Sequence, residues 1–253
     1  MRAILAYHAI ADGVDFSATT IRTDRFRRHL NWLESDGFAL NPVRDGSFDG
    51  SQSSLGISFD DASATVLEVA APLLEERGWK ATVYVPTAHV GSDGSWDLGA
   101  INKRPNLSWS QLAELVGLGW EIGGHGVTHR DMTRMTDVEI ASEIGDAKNE
   151  IEDRLGMSVT GWSYPFGGWN SSIKTALGGA GLSTAVTMIP RLLSSGQDPL
   201  LLPRIALHRM DRTENVAAAL VGGKVRRQIE WAKSRLINGF AKGTAVRMLS
   251  QPT

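Results

Sequence analysis

Short apolar runs rich in β-branched residues alternate along this chain with segments whose apolar positions recur every three or four residues. The runs predict strands at Arg2–Tyr7, Leu55–Phe59, Ala81–Val85, Trp120–Gly123, Thr160–Tyr164, Ser183–Met188 and Pro203–Leu207. Between them the helical pattern falls near 24–36, 64–77, 109–117, 137–155 and 170–179. The fourth of these is the most fully punctuated. Thr136-Asp137-Val138-Glu139 reads as a capping box, Ile140, Ile144, Ala147, Ile151 and Leu155 share one face, and Gly156 suits the stop. Gly37, Gly78 and Gly119 follow other helical segments in the same manner. Strand–helix alternation of this kind implies an α/β fold with a parallel sheet, open or closed into a barrel. In such folds sites lie at the C-terminal ends of strands.

Three predicted strand ends carry polar groups. The first is Ile57-Ser58-Phe59-Asp60-Asp61-Ala62. Successive strand residues point in opposite directions, so the two carboxylates are expected to divide their work, one on a metal and one as a base. Capping of the next helix is the plainer role for either. The second is Trp120-Glu121-Ile122-Gly123-Gly124-His125-Gly126-Val127-Thr128-His129, where two histidines four apart can meet one ion. A carboxylate with two imidazoles leaves coordination positions open for water and substrate. Zinc so held lowers the pKa of its water to about 7 and polarises a carbonyl, the chemistry of amide or ester hydrolysis. The third is Leu202-Pro203-Arg204-Ile205-Ala206-Leu207-His208. There a histidine could protonate a departing amine, and an arginine could hold a carboxylate base ionised. A surface ion pair and a partly buried histidine are the plainer alternatives.

At these residues the sequence resembles the polysaccharide deacetylases of the NodB-homology, or carbohydrate esterase 4, class, in the bacterial exopolysaccharide branch. Ser58-Phe59-Asp60-Asp61 and His125-Gly126-Val127-Thr128-His129 carry the likeness, supported by Arg2–His8, Gly78–Val85 and Ser163-Tyr164-Pro165-Phe166-Gly167. The resemblance covers roughly residues 1–210 and implies a distorted (β/α) barrel. It makes Asp60 the general base, Asp61, His125 and His129 the metal ligands, and His208 the general acid. Tyr7, His8, Tyr164, Pro165 and Phe166 become the substrate-contacting set, while Trp169, read from its loop position alone, could stack on a sugar face or pack between loops and barrel. The implied cation is zinc, with cobalt, nickel or manganese also able to serve. Three departures stand out. Ala62 replaces the usual glycine, Ser163 stands where an arginine often pairs with the base, and an Asp-x-x-Asp-Trp motif is missing between 180 and 200. Arg204 is the expected substitute for the absent arginine.

Composition narrows the partners. Net charge is -2, so no basic field invites nucleic acid, and the absence of cysteine excludes thiolate chemistry and disulfides. There is no serine-nucleophile elbow, phosphate-binding loop or dinucleotide fingerprint. No signal-like start or membrane-length apolar run is present, which reads as a cytoplasmic chain. The expected organisation is a catalytic domain over 1–212 and a basic amphipathic helical extension over 213–253. From Gly222 onward the tail carries seven Lys or Arg against one Glu. Val225, Ile229, Ala232, Leu236 and Phe240 share a helical face, for packing on the domain or peripheral contact with a membrane. A carbohydrate is the expected substrate, removal of an N-acetyl group from an amino sugar the expected reaction, and oligomeric state is not legible. A small-amide hydrolase and a glycan-binding module with little catalysis are the competing readings. An iron oxygenase, which the same three ligands also suit, is a further reading from which the family resemblance points away.

Overall fold

The computed structural model describes residues 2–13, 17–44, 54–96 and 103–248, with side chains described to residue 239. Its strands, in chain order, are β1 (Ala3–Tyr7), β2 (Ala9–Ile10), β3 (Thr20–Ile21), β4 (Ala39–Asn41), β5 (Ser54–Phe59), β6 (Thr82–Val85), β7 (Glu121–Gly124), β8 (Gly161–Ser163), β9 (Thr184–Val186) and β10 (Ile205–Ala206). Its α-helices are α1 (Thr23–Ser35), α2 (Ala71–Glu75), α3 (Trp109–Gly117), α4 (Asp137–Leu155), α5 (Ser171–Gly179), α6 (Thr213–Leu220) and α7 (Lys224–Met248).

Seven strands form a parallel sheet in the order β10-β1-β5-β6-β7-β8-β9. The eighth, β4, pairs with the first half of β5, on the edge that β6 takes over further along. Leu202 draws the ring together. Its amide donates to Ala185 (2.9 Å) and its carbonyl accepts from Thr187 (2.8 Å), three residues before β10 begins at Ile205. The result is a distorted (β/α) barrel, as expected.

Side-chain alternation along each strand separates two cores. Leu5, Tyr7, Ile57, Phe59, Val83, Val85 and Ile122 point outward and join the main apolar core under the helices. Ile4, Tyr84, Val186 and Leu202 belong to a second, smaller cluster. Ser58, Asp60, Ser163 and Arg204 share the inward parity and are all buried. The inner space is therefore mixed polar and apolar, and its polar end leads to the site.

The main differences from sequence expectation have local causes. β2, β3 and β4 are two or three residues long, too short to display alternation. The segment predicted as one helix over 64–77 opens as a π-helical turn at Val66–Ala70 before α2. Pro72 has no amide to donate back along an α-helical ladder, which favours a changed pattern there. The helical extension expected from 213 divides into two helices, and the first of them, α6, packs against α1 and α7. Residues 249–253 of the predicted extension, and the Phe240 side chain, lie outside the described residues. Among the described residues no helix is long and apolar enough to cross a membrane.

Candidate active site

β5, β7 and β8 deliver the site. Asp60 and Asp61 follow β5, His125 follows β7, and His129 sits four residues further in the same loop. One ligand atom each from Asp61, His125 and His129 can be chosen so that all lie within 4.8 Å of one another. Asp61 Oδ1 is 3.4 Å from His125 Nε2 and 3.3 Å from His129 Nε2. The two Nε2 atoms are 3.2 Å apart. His125 Nδ1–H donates to the Ser163 carbonyl at 2.7 Å, leaving Nε2 with its lone pair toward the cup.

Backbone geometry shows that this cup is built under constraint. Asp61 (φ 68°), Ala62 (φ 51°), His129 (φ 56°) and Phe166 (φ 55°) are the non-glycine residues with positive φ among those described, and all four belong to the site loops. Such conformations cost of order 1–3 kcal/mol each and persist where surroundings over-determine them. Ala62 thus occupies a left-handed position where the family's glycine would be unstrained.

Two further groups hold the loops. Asn106 donates through Nδ2 to the Asp61 carbonyl, and its Oδ1 accepts from Trp96 Nε1 (2.9 Å) and Ser92 Oγ (3.0 Å). Glu143, on α4, accepts from the amides of Val127 (2.7 Å) and Thr128 (3.1 Å) and from Thr128 Oγ1. A Cβ on Gly126 would stand 2.8 Å from the same carboxylate. Sequence reasoning missed Glu143, although a signal existed: it is a lone acid on the buried face of α4, beside Ile140, Ile144, Ala147 and Ile151. Asn106 gave no comparable signal.

Asp60 and Arg204 are the buried ion pair of the site. Arg204 Nη1 and Nη2 each donate to a different Asp60 oxygen at 2.7 Å. Arg204 also donates to Ser58 Oγ (3.1 Å), Ser163 Oγ (2.9 Å) and the Thr187 carbonyl (3.1 Å). Ser163, in the place of the family's arginine, donates to Asp60 Oδ2 at 3.2 Å. The pairing with the base that was expected of Arg204 is present, and it is bidentate. Burial opposes the charge on Asp60, but Arg204 and the His125 imidazole outweigh it and hold the carboxyl below its ordinary range. Asp61 is also lowered; burial opposes its charge, and His129 and His125 overcome that. Burial pushes His129 down to about 3 despite Asp61, which keeps its imidazole neutral. Burial also opposes a charge on His125, but the adjacent Asp61 and Asp60 carboxylates outweigh it, so its pKa moves up.

The donor set fits a divalent cation. Asp61 Oδ1 is buried with no hydrogen-bond partner, while two imidazole nitrogens converge on it. A buried carboxylate oxygen left this way is costly unless something positive completes it.

The remaining predicted residues divide. His8 reaches the cleft, with Nε2 4.0 Å from Asp61 Oδ2. Phe166 sets its ring 4.7 Å from that of His129, and Pro165 lies buried near Gly126. The structure does not bring Tyr7 to the cleft. Its strand position turns it outward, where it stacks with Phe59 and its hydroxyl meets His29 Nδ1. Tyr164 also turns outward, and its hydroxyl donates to the Leu200 carbonyl. Trp169 is exposed beside the start of α5 and does not line the cleft. His208 is buried, with Nε2–H donating to Asn238 Oδ1 (3.1 Å) and Nδ1 3.3 Å from Asp211. Trp96, at the cleft wall, stacks on His89 at 4.2 Å and meets His129 in a T-shaped contact at 5.2 Å.

Fold and site together define a (β/α)-barrel protein with a carboxylate–bis-imidazole cup at the C-terminal ends of its strands. The chain belongs to the polysaccharide deacetylase family, whose model matches residues 49–185, more than half of its length. The Bacillus subtilis protein YxkH, named as a polysaccharide deacetylase, is 25% identical over 228 residues, covering 88% of this chain and 75% of that protein. A Staphylococcus aureus poly-β-1,6-N-acetyl-D-glucosamine N-deacetylase is 22% identical over 206 residues, covering 74% of this chain and 68% of the relative. IcaB from Ammonifex degensii shares the fold with a TM-score of 0.75 at 21% identity, covering 88% of this chain and 97% of that one. The Streptococcus pyogenes deacetylase PplD gives 0.72 at 22% identity, covering 85% and 95%.

Proposed function

We propose that this protein removes N-acetyl groups from an amino sugar carried in a polysaccharide, oligosaccharide or lipid-linked glycan. The observation that carries the reading is the cup of Asp61, His125 and His129 with Asp60 ionised beside it. The name of the Staphylococcus aureus relative supports an N-acetylglucosamine polymer as the substrate class.

Asp61, His125 and His129 would hold a divalent cation, zinc by default. A bound cation supplies Lewis acidity, lowering the pKa of water and polarising the acetamide carbonyl. Asp60, kept ionised by Arg204, accepts the proton from the attacking water. Addition of that water to the carbonyl carbon, then cleavage of the C–N bond, yields acetate and the free amine. The amine leaves only after gaining a proton. The resemblance assigns its donor as His208, but that ring is engaged by Asp211 and Asn238. His8 lies in the cleft beside Asp61, and we assign the acid step to it. His208 then positions the end of β10 beneath α7. His8→Ala should lower kcat far more than His208→Ala; the reverse order would return the acid role to His208.

The overall reading is tested by acetate release from an N-acetylglucosamine oligomer. Release should disappear with a chelator, return with added zinc, and be lost in Asp60→Asn at unchanged metal content. Metal-loaded protein that releases no acetate from any acetylated glycan would overturn the assignment.

A further inference from the structure

The described part of α7 is amphipathic in the opposite sense to a helix packed on a protein. Its barrel-facing side is polar. Asn238 reaches His208 and the Met188 carbonyl, Lys233 pairs with Asp211, Glu230 accepts from Asn215, and Ser234 is buried. Its outward side carries Val225, Ile229 and Leu236, which are 69%, 60% and 64% exposed. With Ala232 these residues fall within an arc of roughly 60° at about 100° per residue. The exposed Arg226 borders the stripe on one flank, and the exposed Lys224 and Arg235 border it on the other.

Water selects against an outward apolar stripe of this kind, whereas an interfacial helix requires one. We propose that this face of α7 docks on an anionic membrane surface, with the apolar stripe entering the headgroup boundary and the flanking cations meeting lipid phosphates. Charge distribution favours lipid over a second copy of the chain. A two-fold contact through the stripe would set the basic flanks of one copy against those of the other, which opposes association. α7 also packs against the Pro165–Gly167 turn, whose Phe166 borders His129.

The test is co-sedimentation of the full chain with vesicles of phosphatidylcholine alone and of phosphatidylcholine mixed with phosphatidylglycerol. Retention should be about tenfold or more greater on the mixed vesicles. The Arg226→Glu/Arg235→Glu variant should lose most of that gain, and Ile229→Asp/Leu236→Asp should lose about tenfold at every salt concentration. Both variants should keep acetate release from a soluble acetylated oligomer. If the aspartates prevent folding, judged by far-UV circular dichroism, Ile229→Ser/Leu236→Ser carries the same expectation. Failure to bind mixed vesicles, or binding indifferent to both variants, overturns the proposal. So does a dimer, seen by light scattering, that the apolar variant dissolves, because the face would then belong to a second copy.

Discussion

Arg204 shows how one side chain can serve the site without touching the cup. It is fully buried, and its guanidinium meets both oxygens of Asp60. Replacing it with alanine would strand a buried charge, at a cost of about 3–5 kcal/mol. Arg204→Lys is the cleaner probe because it keeps the charge and removes the fork. It should lower kcat for acetate release while metal content, read by elemental analysis, stays near one ion per chain. Unchanged kcat would show that paired hydrogen bonds to Asp60 are dispensable. Asp60→Asn should reduce kcat by roughly 10²–10⁴, the usual weight of a general base. This pair was legible as residue types, but only the shared inward parity of β5 and β10 places them face to face across β1. Tyr7 illustrates the opposite case. It sits one residue before His8, and strand alternation sends its ring to the outer core.

At the scale of elements, the loop after β7 carries both imidazoles and is secured from two sides. On one side, Gly124 lies so close to Trp162 that a Cβ would stand 2.5 Å from its ring. Gly124→Ala should therefore destabilise the fold by about 1–3 kcal/mol in urea unfolding, the usual cost of overpacking. A stability equal to that of the parent would mean Trp162 can move aside. On the other side, Glu143 of α4 gathers the amides of Val127 and Thr128. Glu143→Ala should weaken zinc binding about 10–100-fold, in line with other groups that support ligands from behind. Competition with a chromophoric chelator measures this without reference to turnover. Equal affinity would reduce Glu143 to a packing residue. The α4 helix itself was readable from its capping box and periodicity, and the structure places it at Asp137–Leu155 with that box formed. Its task in the site was not readable, because it depends on which loop α4 packs against.

Across the whole molecule, Asp211 ties the end of β10 to two distant helices. Its carbonyl accepts from His29 of α1, and its carboxylate pairs with Lys233 of α7 and accepts from the His208 amide. Burial raises its pKa, but the bonds to His208 and Lys233 prevail and bring it down to about 2. A carboxyl lowered on folding contributes stability that is complete above its unfolded pKa and disappears as pH falls through the folded one. Asp211 should therefore support the fold fully above pH 4 or so, losing about 2 kcal/mol as pH falls toward 2. Thermal unfolding of the parent and Asp211→Asn should converge across that window; a constant gap would reject the linkage. What the chain's own pattern determined was the alternation of strands and helices, the caps of α4, and the residue types that can grip a metal, since each depends on neighbours within a few positions. Which of those residues meet, with His8 brought to the cup and His208 engaged under α7, was decided by strand parity, sheet order and helix docking. Those are long-range relations, and they exist only once the ring of strands has formed.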